Sequence, residues 1–150
     1  MTSADELYEA MRTNDRGSIR RLLQAEAALV EALGKTPPPI HWAIWKGKTQ
    51  IVDLLLDQGA DIERRDPDRN ATPLHYAIIY GRQEIVRLLV ARGADLKNDD
   101  KADNMLDLAK RGAAGEFEEF SDIATTRSAF EEIAELLGEL GGKSYGSSIS

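Results

Sequence analysis

Apolar residues in this chain fall into pairs of short helical stripes. In residues 84–93, EIVRLLVARG, the side chains of Ile85, Val86, Leu88, Leu89 and Val90 share one side of a helix that ends at Gly93. A shorter helix is predicted before it. Thr72 is an N-cap hydroxyl, Pro73 suits the first helical position, and Gly81 suits a left-handed C-cap. The preceding segment RRDPDRNA, residues 64–71, is a turn by composition. Neither helix is long enough to be stable alone, so each needs a neighbour that covers its apolar face.

The same pattern is written more than once. Residues 41–62 align with 75–96 at a constant offset of 34, and 11 of 22 positions are identical, too many for chance agreement. The shared letters include His41/His75, Ala43/Ala77, Gly47/Gly81, Ile51/Ile85, Leu54/Leu88 and the Gly-Ala-Asp endings. Weaker copies flank these. Ala10, Asn14, Ile19, Leu22 and Leu23 stand 33 residues before Ala43, Gly47, Val52, Leu55 and Leu56. Asn14 replaces glycine there, and asparagine is the next-best left-handed cap. At the other end NMLDLAKRG matches the first helix, with Asn104 in the threonine position, and SAFEEIAELLGELGG matches the second.

Thr72-Pro73-Leu74-His75-Tyr76-Ala77 is a full T-P-L-H-x-A motif in a unit of about 33 residues, and on it the chain resembles the ankyrin-repeat family. The earlier copy, Pro38-Pro39-Ile40-His41-Trp42-Ala43, has lost the capping threonine. The resemblance implies an all-α solenoid of about four stacked helix pairs, with no sheet beyond short turn hairpins. The units run over residues 3–33, 34–66, 67–99 and 100–142 of a single domain, 1–142, followed by a flexible tail, 143–150. Degenerate first and last copies suit units with a polar outer face. The last unit departs from the family by an insertion at about 113–127, between its two helices. Phe117, Phe120 and Ile123 stand at i, i+3 and i+6 within it.

Composition narrows the chemistry. At 150 residues and 42% hydrophobic, the chain can bury one sizeable core. It has no cysteine, so disulfides, thiolate nucleophiles and Cys-based metal sites are excluded. The acidic N-terminus does not read as a secretory signal, and no apolar run reaches the roughly 20 residues of a membrane helix. The expectation is a cytoplasmic protein without a membrane role. The net charge of −7 is concentrated in residues 113–140, which hold eight acids and one base; residues 1–112 are nearly balanced, with 17 bases and 18 acids. That distribution argues against nucleic acid as a partner.

Three strings imitate catalytic motifs. Gly34-Lys35-Thr36, Gly47-Lys48-Thr49 and Gly142-Lys143-Ser144 lack the second glycine of a phosphate loop. Asp66-Pro67-Asp68-Arg69-Asn70 opens like a calcium loop but continues with Ala71 and Ala77 in place of the required glycine and glutamate. His41 and His75 read as structural, bonding across a turn. No metal, cofactor or enzymatic activity is expected.

The family resemblance also implies where a partner binds. The two residues before the first helix's closing glycine face the concave side: Arg12 and Thr13, Trp45 and Lys46, Ile79 and Tyr80, and Arg111 with Gly112. Asp68 and Arg69 lie at a turn tip. Exposed aromatics interleaved with arginine suit a protein-binding hot spot. Trp42 and Tyr76 are expected to pack inside the stack. Phe117, Glu118 and Phe120 in the insertion suit an acidic, aromatic contact for a partner with a basic surface; the alternatives are that the insertion folds back onto Arg111 or Lys46, or only caps the last repeat. The expected function is a non-enzymatic protein–protein interaction module, a monomer when free, binding through its concave face and turn tips. The alternative is an inhibitor or immunity protein that neutralises a toxin or hydrolase.

Overall fold

The computed structural model describes residues 2–32, 37–96, 105–114 and 129–139, and every regular element among them is helical. The chain divides into two compact units, residues 1–73 and 74–150.

The first unit holds α1 (Ser3–Arg12), α2 (Arg16–Ala25), a 3-10 turn (Ala27–Glu31), α3 (Pro39–Trp45) and α4 (Thr49–Asp57). Local chemistry starts each helix differently. Thr2 and Asp5 exchange reciprocal bonds at the head of α1, at 3.1 and 3.0 Å, which satisfies two amides that a helix start leaves orphaned. The Asp15 carboxylate accepts from the Ser18 amide at 3.1 Å at the head of α2. The head of α3 has no side-chain cap; Pro38 is extended and Pro39 occupies the first turn. Proline preorganisation thus stands where the threonine is lost.

One closure recurs at helix ends. Gly47 has φ 71°, and the Lys48 amide reaches back to the Ala43 carbonyl at 2.9 Å. Asn14 does the same with φ 59°, and the Asp15 amide reaches Ala10 at 2.8 Å. The same long-reach bond recurs from Ala60 to Leu55, Arg82 to Ala77 and Ala94 to Leu89. The reversal brings the two helices of each pair together.

The apolar stripes then meet. Leu7, Met11, Ile19, Ile40, Ile44, Val52 and Leu55 have essentially no exposed surface. Helix α2 packs on α4, and the 3-10 turn packs on α1 and α3. Polar ties fix the register between successive pairs. The Tyr8 ring meets Trp42 edge-on at 6.0 Å, and its hydroxyl donates to the Pro37 carbonyl at 2.6 Å. Lys48 Nζ donates to Asn14 Oδ1 at 2.7 Å. Glu31 accepts from the Asp61 amide at 2.8 Å and pairs with Arg64 at 3.0 Å.

The turn ahead of the third pair is a buried polar node. The Asp66 side chain turns inward, and its Oδ1 accepts from the Ala71 amide at 3.0 Å and the Arg69 amide at 3.2 Å. The Ala71 carbonyl accepts from the Asp66 amide at 3.0 Å and from His41 Nε2 at 2.8 Å. A carbonyl can only accept, so Nε2 carries the proton. His41 is fully buried, and burial holds its imidazole below the ordinary value of 6.5. The calcium-like string is therefore a folded turn whose first carboxylate is engaged by backbone amides.

The second unit holds α5 (Pro73–Ile79), α6 (Gln83–Ala91), α7 (Met105–Ala113) and a helix over residues 129–139, here α8. Leu74, Ala77, Ile78, Ile85, Val86 and Leu89 are buried in the α5–α6 pair; Leu108, Ala109, Phe130, Ile133 and Leu137 are buried on α7 and α8. Here α7 differs from the other first helices. Ala113, in the position of Gly81, is still helical, and Gly112 lies inside the helix. A β-carbon on Gly112 would fall within 3.0 Å of three carbons of the Phe130 ring. The bare glycine is the surface on which Phe130 seats. Residues 115–128, most of the expected insertion, and the tail 143–150 lie outside the described residues, as does Asn104.

Two outcomes test this packing. His41 has a depressed folded-state pKa, so the unfolded chain binds the extra proton first as pH falls below 6.5. Stability is therefore full above that value and declines below it. The carboxylates Asp5, Glu9 and Asp15 are also held low, by bonds from Thr2, Arg12 and Ser18 respectively, so their contribution is lost only at more acid pH. Wild type is expected to melt at lower temperature at about pH 5.5 than at about pH 7.5, and His41→Gln to show a smaller difference; equal differences would refute the assignment. Gly112→Ala is expected to destabilise by about 1–3 kcal/mol in urea titration, despite alanine's better helix propensity. Adding Phe130→Leu should recover part of that loss.

Candidate functional site

Large apolar side chains among the described residues are buried or half-buried except Trp45, which is 38% exposed. It is the last residue of α3. Lys46 follows in the cap and places Nζ 3.9 Å from the centroid of the Trp45 ring. This is a cation–π contact worth about 0.5–1 kcal/mol at an exposed site. The equivalent end of α1 carries Arg12, exposed and bound to Glu9 through both Nε and Nη2. That bond holds the Glu9 carboxyl below its ordinary range and raises Arg12. Lys48 links the two turns, since its Nζ lies 3.4 Å from the Arg12 carbonyl as well as bonding Asn14.

The other expected contact residues are placed as follows. Arg69 is exposed at the tip of the Asp66–Ala71 turn. Ile79 and Arg111 are half-buried. Tyr80 requires a correction. It was expected as an accessible groove aromatic, yet it is only 9% exposed, with its ring 5.5 Å from that of Tyr76. The reason is helical spacing: Tyr80 stands four residues after Tyr76, on the same side of the turn. Trp42 and Tyr76, expected in the stack, are buried. Phe117, Glu118 and Phe120 lie outside the described residues. Arg12, Trp45 and Lys46 are thus gathered at one edge of the first unit.

Lys48 was missed as a structural group. Its signal was its place, just after Gly47 and 34 positions beyond the Asn14 that it binds. Within Gly47-Lys48-Thr49 the lysine is engaged by protein oxygens. Among the described residues no group of three or more His, Asp or Glu side chains is arranged to hold a metal ion, and no helix is long and apolar enough to cross a membrane.

Repeated helix pairs closed by left-handed caps define a class of tandem-repeat protein, and comparison with known families gives its name. The model described as ankyrin repeats (3 copies) matches residues 7–100, and the chain belongs to the ankyrin-repeat family. Ankyrin repeats are protein–protein interaction modules. The chain is also similar to a probable E3 ubiquitin-protein ligase, XBOS33, of Oryza sativa subsp. japonica, at 38% identity over 65 residues. That match covers 42% of this chain and 12% of the relative.

Truncations should separate surface from core. Trp42→Ala is expected to cost about 3–5 kcal/mol of unfolding free energy, as a buried aromatic does. Trp45→Ala should stay within about 1 kcal/mol. Tyr80→Ala should fall nearer to Trp42→Ala than to Trp45→Ala in urea titrations; the reverse order would place Tyr80 on the surface.

Proposed function

We propose that this chain is a non-enzymatic module that binds a partner protein through its concave face and turn tips, with Trp45 as the central anchor. The observation that carries the reading is the exposure of Trp45, since the other large apolar side chains among the described residues are buried or half-buried. Tryptophan and arginine are enriched among interface residues whose truncation weakens binding by about 2 kcal/mol or more. Lys46 and Arg12 accompany the anchor in the first unit, with Arg69 at its turn tip, and Ile79 and Arg111 are the candidate contacts of the second unit. Tyr80, nearly buried against Tyr76, is left out of the contact set. The lack of cysteine fits a reducing compartment, and we assign the module to the cytoplasm. Similarity to 12% of a ligase's length does not bring ligation with it; the role assigned here is recognition.

The test compares wild type with Trp45→Ala/Lys46→Ala in affinity purification, followed by binding of the purified partner. The double variant is expected to keep its helicity and bind the partner at least about thirtyfold more weakly. If both proteins retain the same partners at the same affinity, the surface is elsewhere.

A further inference from the structure

We infer that the Trp45 edge takes an acidic protein segment that also carries an apolar side chain. This rests on the binding role proposed above and adds the chemistry of the partner.

The chain as a whole carries −7, yet residues 11–52 hold seven Lys and Arg against three Asp and Glu. The three acids are Asp15, Glu26 and Glu31. Asp15 is held by Ser18, whose amide donates at 3.1 Å and whose hydroxyl donates at 2.6 Å. Glu31 is held by Arg64 and the Asp61 amide. Glu9, just before this stretch, is held by Arg12. Glu9, Asp15 and Glu31 are therefore already engaged. Arg16, beside the Asn14 turn, and Lys46 are exposed and make no ion pair among the described residues.

Local rules of helix design are also broken here. Arg16 sits in the first turn of α2, where the helix dipole disfavours a cation, and the acid at that helix start, the N-cap Asp15, is taken up by Ser18. Arg16 and Arg20 are like charges four residues apart, which disfavours the helix further. Folding does not call for this arrangement, whereas an anionic partner would benefit from it.

Lys46 gives the edge two roles. The ammonium lies over the indole in a weak, solvent-exposed contact. A carboxylate offers it a stronger charge-assisted bond. When Lys46 turns to that carboxylate, it uncovers the ring for an apolar side chain of the same segment. A cationic segment would meet like charge from Lys46 and Arg16 instead. Nucleic acid also carries negative charge, but a polyanion needs a clustered track of Lys and Arg, whereas this edge offers two exposed cations without an ion pair, Lys46 and Arg16, beside an indole; a peptide with few carboxylates and an apolar side chain fits it better.

The experiment uses the full chain and labelled twelve-residue peptides read by anisotropy. One peptide combines glutamate with leucine and phenylalanine. In two others lysine or glutamine replaces each glutamate, and a single-stranded oligonucleotide is the fourth probe. The acidic peptide is expected to bind at least about tenfold more tightly than the other three, to weaken with added salt, and to lose about tenfold or more in Trp45→Ala and in Lys46→Glu. Lys46→Gln, which removes the charge without reversing it, should lose less. Circular dichroism of each variant ensures that the folded protein is being compared. Equal or tighter binding of the lysine or glutamine peptide, lost in Trp45→Ala, would overturn the acidic partner and leave Trp45 as an anchor. Preference for the oligonucleotide, or acidic-peptide binding that ignores both variants, would overturn the inference. So would the absence of any acidic-peptide binding up to about 1 mM, which corresponds to only about 4 kcal/mol. The binding role itself is judged separately, by the partner captured with wild type.

Discussion

A backbone reversal with positive φ makes the rest of this structure possible. Its α-helices among those fully bounded are seven to ten residues long, below the length at which a helix is stable in water. Each must therefore turn back at once and find a partner. A left-handed residue turns the chain, and an amide reaches back five residues to bond a carbonyl left open by the helix end. An ordinary side chain in that conformation would cost about 1–2 kcal/mol, which is why Gly47 recurs as Gly81 and why Asn14 is the tolerated substitute. Asparagine also brings a carbonyl oxygen that glycine lacks. Lys48 binds it, so the substitution at the first turn became a tie to the second.

Closing a pair leaves the segment between pairs to be satisfied, and the Ala71 carbonyl is where that happens. It lies in a turn packed close to the core, where a polar group without partners would cost about 1–3 kcal/mol. It accepts from both the Asp66 amide and the His41 ring. The histidine belongs to one helix pair and the turn leads into the next. Its bond therefore ties that turn to α3. Burial keeps the ring neutral, which lets it donate without placing a charge in the interior.

These dependencies explain what could be read in advance. The period of 34 and the T-P-L-H-x-A motif identify helices α3 to α6 and their closures, because caps and apolar spacing are local properties. The buried places of Trp42, Tyr76 and His41 follow from the same motif. What escaped depends on side chains that meet across sequence distance. Nothing local in Gly112 announces that Phe130 will seat on it. Its place near the end of a matching stretch reads as the approach to a helix end, whereas α7 carries it as an interior residue. The 3-10 turn Ala27–Glu31 lacks a helical period of its own and is fixed by contact with α1 and α3.

The site shows the same limit most sharply, because two residues in one repeat position reached different environments. Lys46 and Tyr80 both stand just before a closing glycine, and each has an aromatic residue four positions earlier. For Tyr80 that neighbour is Tyr76, and the two rings pack together. For Lys46 it is Trp42, whose ring is already met by Tyr8 from the preceding helix pair. Lysine also keeps its ammonium in water while its stem lies along apolar surface. It therefore settles on the adjacent Trp45 and leaves that ring partly open. Ile79, which shares Trp45's position in the next repeat, is half-buried instead. Repetition of the backbone fixes where a side chain departs from the helix. Which groups have already occupied the space in front of it decides whether it ends in the core or at a surface that another protein can grasp.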